Sequence, residues 1–211
     1  MRELAIAVFV GTRGRGSNLM ALAAAAAEGR LSGRIVHVVG AKADAPVILR
    51  ARDAGMATAI IDPKAFAHED GYADALLTAL QDGGADTVAL AGYLRRLPNA
   101  IVSAFKHRIV NVHPSLLPAF GGKGMYGEHV HRAVLAYGCK VSGCTVHLVD
   151  ETYDTGPILL QRAVTVEADD TPETLAARIL PQEHRAFVDA LQLLAEDRVT
   201  VDGRVARVRA G

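Results

Sequence analysis

The sequence has 211 residues, a length that favours one α/β domain with extensions, and we predict a single domain over residues 1–211. Half of the residues are hydrophobic and 22% are charged, which excludes a disordered or fibrous chain as the main state. Lys and Arg number 23, as do Asp and Glu, so the formal net charge is zero. Since no global field attracts nucleic acid or an acidic membrane, we expect neither as a partner.

Cysteine usage and apolar runs indicate where the protein works. Cys139 and Cys144 cannot form a disulfide framework, and their spacing fits neither a redox nor a zinc pattern. The apolar run Leu4–Val10 follows Arg2 and Glu3 directly, without the cleavage site of a secretory leader. The longest apolar run, 19–27, is about half of the roughly 20 residues that a spanning helix needs. We therefore expect a cytoplasmic protein with no membrane segment.

Short β-branched runs alternate with Ala- and Leu-rich stretches through the first half of the chain. The predicted strands are 4–10, 33–40, 57–61, 87–91 and 108–113, and the predicted helices are 18–28, 45–54, 72–80 and 99–105. This order favours a doubly wound, mostly parallel, Rossmann-like α/β sheet with helices on both faces. Ligands bind such sheets at the carboxyl ends of the strands, so the loops that follow strands are the candidate sites.

The pattern changes after His113. A Gly- and Pro-rich loop over 114–127 has the length of a functional lid. The predicted elements that follow are a helix at 129–137, strands at 142–149 and 158–166, a helix from 172 to about 196, and a hairpin at 199–208.

The turn after the first strand reads Gly11-Thr-Arg-Gly-Arg-Gly-Ser-Asn18 and leads into an alanine-rich helix. Glycines allow a tight turn, and the amides of Gly16, Ser17 and Asn18 at a helix N-terminus make an anion site. The spacing fits neither the dinucleotide fingerprint nor a nucleotide P-loop, which favours a simple phosphate ester. The alternative is a plain turn in which Ser17 or Asn18 caps the helix.

Asn111 and His113 stand two residues apart at the end of a predicted strand, so their side chains project from the same face. Pro114 keeps His113 extended. An amide beside an imidazole suits a carbonyl that becomes a tetrahedral oxyanion, because both groups can donate hydrogen bonds. The alternative is a structural Asn with a capping His.

An acidic loop follows the motif Gly143-Cys-Thr-Val-His147 and contains Asp150, Glu151 and Asp154. A carboxylate near an imidazole raises its pKa, orients it and can pass a proton, and Asp154 before Thr-Gly is the candidate. A solvated turn is the alternative. No metal site is predicted, since His129 and His131 are two apart on a helix and point away from each other.

Several segments, in this order, together resemble the folate-dependent formyltransferases, and within them the enzymes that act on glycinamide ribonucleotide. They are Gly16-Ser-Asn-Leu19, Ala91-Gly-Tyr-Leu-Arg95, Asn111-Val-His-Pro-Ser-Leu-Leu-Pro118, Gly143-x-Thr-Val-His147 with Asp154-x-Gly-Pro157, and Gln182-Glu-His184. The resemblance runs from Leu4 to about Ala190.

This resemblance implies transfer of the formyl group of 10-formyltetrahydrofolate to the amine of glycinamide ribonucleotide, in purine biosynthesis, without a metal. It implies a catalytic set of Asn111, His113 and Asp154. The substrate phosphate and ribose would be held by Gly16, Ser17, Asn18 and Glu183. The folate would be held by Leu94, Arg95, Arg96, Leu97, Asn111, Asp150 and Asp154. The expected partners are these two small molecules, and the expected state is a monomer or a homodimer.

The chain departs from the family pattern at two places. Arg13 and Arg15 stand in the phosphate turn where relatives have small or polar residues, and residues 67–70 lack the arginine that often reaches the phosphate. Arg13, Arg15 or His68 is a candidate substitute. The loop 121–127 is richer in glycine than in some relatives and is a candidate flap over the substrate.

Related activities are separated by length and by the acceptor. Methionyl-tRNA formyltransferases carry an additional C-terminal domain and formyltetrahydrofolate hydrolases an N-terminal one, and we expect 211 residues to hold neither. An amino-sugar nucleotide as acceptor is an alternative with the same catalytic set. A binding module for a phosphorylated metabolite is another, although binding alone does not require the catalytic set.

Overall fold

The computed structural model describes residues 2–210. Its strands are β1 (Leu4–Val10), β2 (Gly33–Gly40), β3 (Thr58–Ile60), β4 (Thr87–Ala91), β5 (Ile109–His113), β6 (Val141–Leu148), β7 (Ile158–Thr165), β8 (Val199–Asp202) and β9 (Val205–Val208). Its α-helices are α1 (Ser17–Ala27), α2 (Pro46–Asp53), α3 (Glu69–Asp82), α4 (Asn99–Ala104), α5 (Glu128–Tyr137) and α6 (Pro172–Ala195), and a 3₁₀ turn spans Pro63–Ala65.

Seven strands form one sheet in the order β3-β2-β1-β4-β5-β6-β7, and β8 pairs with β9 in a separate hairpin. The pairs from β3 to β5 are parallel, whereas β6 runs antiparallel to both β5 and β7. The predicted fold class, a mostly parallel sheet, is therefore confirmed. The antiparallel join brings the end of β6 beside the beginning of β5, and the loops that follow β5 and β6 each contribute residues to the site described below.

Alternation along β1 explains why helices cover both faces of the sheet. Leu4, Ile6, Val8 and Val10 pack with residues of α1, α2, α5 and α6 on one face. Ala7 and Phe9 pack with residues of α3 and α4 on the other. Because a strand buried on both faces gains apolar contacts at every residue, a continuous apolar run is stable here.

The first turn of α3 differs from its prediction. The helix spans Glu69–Asp82, whereas the sequence pattern predicted 72–80. Glu69 and Asp70 lie in the first turn, where acidic side chains interact favourably with the positive end of the helix dipole. Gly71 therefore sits inside the helix and does not end it.

The carboxyl ends of β1 and β4 approach each other closely. A Cβ atom on Gly11 would lie 2.3 Å from the carbonyl oxygen of Gly92, so this approach requires glycine at position 11. The turn after β1 and the segment after β4 thus meet at one edge of the sheet, beside the end of β5, as the rule for open α/β sheets predicts.

Within residues 2–210, no helix combines the length and the apolar composition needed to cross a bilayer. The hairpin packs Val199, Val201 and Ala206 against the same apolar cluster as α6. The predicted domain limits of 1–211 include residues 1 and 211, which lie outside the described residues.

Candidate active site

A cavity of about 1120 Å³ opens at this edge of the sheet. Its lining includes Leu94 and Tyr153, from the segments that follow β4 and β6, and Arg15, Asn18 and Glu183, from the turn after β1, α1 and α6. Asn111, His113 and Asp154, the residues that the sequence singled out for chemistry, line the same cavity. Apolar side chains complete much of its wall: Val112, Met125, Ala176, Ala177 and Leu180.

The turn after β1 begins α1 without a side-chain cap. Gly16 is the N-cap residue, in the left-handed conformation with φ 76°, and a Cβ there would lie 2.5 Å from Val47 Cγ2. The alternative in which Ser17 or Asn18 caps the helix is wrong, because both residues lie inside α1. The side-chain oxygens that cap most helices are not used here, so the first amides of α1 depend on another acceptor.

The side chain of Asn18, on α1, forms a hydrogen bond with α6. Its Nδ2 donates to Glu183 Oε2 at 3.1 Å. Its Oδ1 is buried and has no hydrogen-bond partner among the described residues. Burial raises the pKa of Glu183 to about 7, although the bond from Asn18 acts in the opposite direction. Beside Asn18 and Glu183 the cavity therefore offers a carbonyl oxygen and a carboxyl group to a ligand with N–H or O–H donors.

Of the three basic candidates for the phosphate, Arg15 alone lines the cavity within the described residues. Its backbone carbonyl accepts a bond from Arg50 Nη1 at 3.3 Å, which ties the turn to α2. Arg13 is exposed, and His68 is exposed at the N-cap of α3.

His113 is buried at the end of β5, and its ring is oriented by the backbone of the following loop. Its Nε2 lies 2.8 Å from the carbonyl oxygen of Phe120. Since a carbonyl only accepts, Nε2 carries the proton, and in the neutral ring Nδ1 is left as an acceptor. Nδ1 lies 3.6 Å from Asp154 Oδ2. The geometry therefore prepares Nδ1 to receive a proton beside a carboxylate.

Asp154 stands between two imidazoles. Its Oδ2 accepts the amide of Gly122 at 2.8 Å, and its Oδ1 lies 3.6 Å from Nε2 of His147. Its backbone is in the left-handed region, with φ 56°, a conformation that Asp tolerates better than most residues. The acidic loop is thus no solvated turn at this residue, because the Asp154 side chain is only 12% exposed.

The pKa values of this pair are set by burial and by mutual charge. Burial alone would raise the pKa of Asp154, but its contact with His147, the charge of His113 and the Gly122 amide bring it below its ordinary value. Burial lowers the pKa of His113, against the opposing effect of the Asp154 charge. The pair therefore favours a carboxylate beside a neutral imidazole, which is the form that can accept a proton.

Asn111 is oriented by His147, directly opposite it in the β5–β6 ladder. The Nδ1 of His147 donates to the carbonyl of Leu148 at 2.9 Å, so its Nε2 accepts from Asn111 Nδ2 at 3.0 Å. Because an amide nitrogen carries two protons, the second N–H remains available to the cavity. Nε2–H of His113 is committed to Phe120, so this arrangement favours Asn111 as the donor to an oxyanion.

A buried threonine holds the loop that orients His113. Thr145 Oγ1 donates to the carbonyl of Ser115 at 2.7 Å and accepts the amide of Leu117 at 2.9 Å. Ser115 Oγ donates to the carbonyl of Ala119 at 2.7 Å. These bonds fix the segment that presents the Phe120 carbonyl to the imidazole, so the position of His113 depends on β6 as well as on β5.

The residues expected around the folate are divided by the structure. Leu94, Asn111 and Asp154 line the cavity, whereas Arg95, Arg96, Leu97 and Asp150 are outside its lining. Leu97 is buried in the core beside α4. Asp150 uses both oxygens within its own loop, on the amide of Thr152 and the hydroxyl of Thr155.

The interpretation of the sequence did not single out three residues at this site: His131 and Tyr153, which line the cavity, and His147, which contacts Asn111 beside it. His147 was part of a motif, but its contact with Asn111 depends on strand register. Tyr153 precedes Asp154, and nothing in its spacing distinguishes it from a surface aromatic. His131 is buried on α5, where burial lowers its pKa, and its Nδ1 has no partner within residues 2–210. An apolar i, i+4 pattern, Val130 and Val134, is what could have indicated that its side of α5 is buried.

Groups of three or more His, Cys, Asp or Glu side chains arranged to hold a metal ion are absent from residues 2–210. Asn111 and His113 contribute an amide and an imidazole whose partners are a ring and a backbone carbonyl. The chemistry that this arrangement can perform is hydrogen-bond donation to an oxyanion and proton transfer.

Comparison with known proteins agrees with this geometry. A protein of Arabidopsis thaliana, "Phosphoribosylglycinamide formyltransferase, chloroplastic", is 43% identical over 199 residues, 94% of this chain and 68% of its own length. The Escherichia coli phosphoribosylglycinamide formyltransferase is 36% identical over 193 residues, 92% of this chain and 89% of its own. The crystal structure of glycinamide ribonucleotide transformylase 1 from Symbiobacterium toebii superposes with a TM-score of 0.91 at 43% identity, covering 99% of this chain and 95% of that one.

The family model described as "Formyl transferase" matches residues 4–191. This range includes the turn after β1, the ends of β4 and β5, the acidic loop and Glu183, so every part of the cavity described above falls within it. The predicted resemblance is confirmed, and the chain belongs to the formyl transferase family.

Proposed function

We propose that the protein is a phosphoribosylglycinamide formyltransferase, which transfers the formyl group of 10-formyltetrahydrofolate to the amine of glycinamide ribonucleotide in purine biosynthesis. The observation that carries this proposal is one cavity whose lining combines Asn111, His113 and Asp154 with apolar and aromatic residues such as Leu94 and Tyr153 and with the polar residues Arg15, Asn18 and Glu183. Its volume of about 1120 Å³ exceeds the range of roughly 300–1,000 Å³ usual for one ligand, as a site for two substrates requires. The names of the relatives at 36% and 43% identity support the same activity.

In this proposal the folate binds to the part of the cavity that is lined by Leu94 and Tyr153. These two side chains and Val112 offer apolar and aromatic surface to a flat heterocycle. In this proposal the folate places its formyl carbon beside Asn111, at the end of β5. Arg95 is exposed beside this part of the cavity, where a long cation suits the carboxylates of a folate tail.

In this proposal the acceptor binds to the part of the cavity that is lined by Arg15, Asn18 and Glu183. The phosphate binds in this proposal to the amides of Gly16, Ser17 and Asn18 at the start of α1, with Arg15 supplying charge. The Glu183 carboxyl and Asn18 Oδ1 accept from hydroxyl or amide protons of the same molecule. An acceptor without a phosphate leaves the α1 amides unpaired, which disfavours it.

Asn111 stabilises the charge that develops during attack. When the acceptor amine adds to the formyl carbon, the carbonyl oxygen gains a negative charge, and the free N–H of the Asn111 amide donates to it. His147 holds that amide in the donating orientation, since its Nε2 accepts the other proton of the same nitrogen.

His113 and Asp154 transfer the proton. The new carbon–nitrogen bond leaves one proton in excess on the acceptor nitrogen, and N10 of the folate needs one to leave. Neutral His113 accepts that proton at Nδ1, directly or through water, while the Asp154 carboxylate stabilises the imidazolium. The same proton then passes to N10 as the bond between the formyl carbon and N10 breaks, which restores the site.

The remaining expectations complete the proposal. We place the enzyme in the cytoplasm, as a single domain over residues 1–211 and as a monomer or a homodimer, with these two small molecules as its partners. Packing of the β8–β9 hairpin on the cluster that also includes α6 supports one domain.

The test is formyl transfer by the purified protein. The donor is 10-formyltetrahydrofolate, the acceptors are glycinamide ribonucleotide and, separately, an amino-sugar nucleotide, and deformylated folate is measured. We expect turnover with glycinamide ribonucleotide at a kcat/KM at least 100-fold above the other acceptor. Equal turnover with both would contradict the assigned acceptor, and binding of both substrates without turnover would favour the binding module.

A further inference from the structure

The segment after β4 and the loop that carries Asp154 are joined at Arg96. The backbone amide of Arg96 donates to Tyr153 Oη at 2.8 Å, and its Nη1 lies 3.4 Å from the carbonyl oxygen of Glu151. Nη1 also donates to Asn99 Oδ1 at 2.9 Å. Arg96 therefore connects the start of α4 with both the backbone and a side chain of the acidic loop.

We propose that Arg96 and Tyr153, which we call the latch, hold the acidic loop against the β4–α4 segment and that Arg96 is thereby a positioning residue for Asp154. This inference rests on the proposed function, because it concerns where the carboxylate stands during formyl transfer. Arg96 itself does not line the cavity, whereas Tyr153 does.

The backbone at Asp154 explains why the loop needs such a contact. A non-glycine residue at φ 56° is in a costly conformation, which persists only where the surroundings determine it. Asp150 fixes the middle of the loop through Thr152 and Thr155, but those bonds are internal to the loop. The latch supplies bonds from the loop to another part of the fold, at the residue directly before Asp154.

A small rotation of this loop would separate the reacting groups. Asp154 Oδ2 lies 3.6 Å from His113 Nδ1, and its Oδ1 lies 3.6 Å from His147 Nε2. The distance to His113 is already near the outer limit of an ion pair, so an outward shift weakens the interaction that stabilises the His113 imidazolium. Tyr153 of the latch and Leu94, two residues before Arg96, both line the cavity.

The outermost contact of Arg96 is an ion pair with Glu69, whose Oε1 lies 3.6 Å from Nη2. Both side chains are largely exposed, and exposed pairs contribute little. Glu69→Gln is therefore a matched control, since it removes a partner of Arg96 without touching the acidic loop.

The experiment compares wild type, Arg96→Ala, Arg96→Lys, Tyr153→Phe, the Arg96→Ala/Tyr153→Phe double variant and Glu69→Gln. Hydrogen exchange of peptides over residues 148–157 reports directly on the loop. Steady-state kinetics give kcat and both KM values from pH 5 to 9, and calorimetry gives the affinity for 10-formyl-5,8-dideazafolate, a stable donor analogue. Thermal midpoints verify that each variant is folded.

We expect Arg96→Ala, which leaves the backbone bond to Tyr153 in place, to accelerate exchange in the loop and to lower kcat about threefold, with the acceptor KM within twofold of wild type. The acid limb of the kcat profile should move to lower pH, because a displaced carboxylate no longer supports protonation of His113. Tyr153→Phe, which removes the 2.8 Å bond to the Arg96 amide, should lower kcat about tenfold, the double variant more than either single variant, and Glu69→Gln should match wild type. Arg96→Lys should recover part of the loss.

Two results overturn the proposal. Unchanged exchange over 148–157 in the double variant means that the latch does not hold the loop. Faster exchange with unchanged kcat and pH profile, or a loss confined to affinity for the analogue, means that Arg96 does not position Asp154. If the wild type transfers no formyl group, the proposed function fails, while the exchange data still decide whether the latch holds the loop.

Discussion

Two parts of the active-site region, the turn after β1 and the side-chain cluster around Asp154, are built in different ways. The turn after β1 offers backbone amides at the start of a helix, whereas the centre of the cavity is a cluster of side chains from β5, β6 and the loop after β6. The distribution of buried polar residues shows the same division along the chain. Within residues 2–210, every buried polar or charged residue except Thr87 lies at or after His113. Amides at a helix N-terminus bind an anion without titrating, so we assign binding to the parallel half and proton transfer to the antiparallel join.

The strongest test of this comparison removes the acid–base pair. We expect Asp154→Asn and His113→Ala each to lower the single-turnover rate by roughly 10²–10⁴-fold with both substrates still bound, because proton transfer is lost and affinity is not. The double variant should be little slower than either single variant, since the two groups act as one unit. Strictly additive losses, or a near-normal rate for Asp154→Asn, would remove Asp154 from the mechanism.

Removing the oxyanion donor is expected to have the next largest effect. Asn111→Ala should cost about 2.7–4 kcal/mol of transition-state stabilisation, which is the usual effect of one such donor. The loss should appear in kcat and should not depend on pH between 6 and 8, unlike the loss in His113→Ala. His147→Gln keeps a hydrogen-bond partner for the amide and is the control. A rate of His147→Gln as low as that of Asn111→Ala would show that the imidazole has a further role.

Substitutions at two glycines, Gly16 and Gly14, test the turn after β1, which we expect to bind the acceptor through backbone amides. Gly16→Ala introduces a Cβ at φ 76° and within 2.5 Å of Val47, whereas a Cβ on Gly14 has nothing within 4 Å. We expect Gly16→Ala to raise the dissociation constant of the acceptor about tenfold, with the affinity for a folate analogue unchanged, because only the α1 amides shift. Gly14→Ala should be within twofold of wild type. If calorimetry shows that Gly16→Ala raises the dissociation constants of both ligands equally, the turn has only a structural role.

Glu183, which accepts a hydrogen bond from Asn18 of α1, gives the smallest effect. Its pKa is raised by burial from 4.5 to about 7, so the folded state holds its proton more tightly than the unfolded chain. The resulting stabilisation is complete below about pH 4.5 and is lost as the pH rises through 7. Between pH 5.5 and 8, urea unfolding should show wild type losing on the order of 1–2 kcal/mol relative to Glu183→Gln. Parallel curves for the two proteins would contradict this prediction.

Local patterns in the sequence predicted much of the fold. Strands Leu4–Val10, Gly33–Gly40 and Thr87–Ala91 have the limits that the sequence predicted. The first and the last are largely apolar because helices cover both faces of the sheet at these strands. The start of α3 was predicted three residues too late, since propensity alone treats Gly71 as a boundary.

The sequence by itself also determined which segments line the cavity, since glycines before a helix and an Asn-x-His strand end are local patterns with local physical causes. What each residue does was decided by the tertiary structure. Asn18 meets Glu183 across 165 positions of sequence, and Asn111 meets His147 only because β6 pairs antiparallel with β5 in one register. Arg96, Leu97 and Asp150, which the resemblance places near the folate, lie outside the cavity lining and make contacts with the structure around it. Long-range contacts depend on the register and packing of the whole sheet, whereas sequence patterns report only the preferences of neighbouring residues.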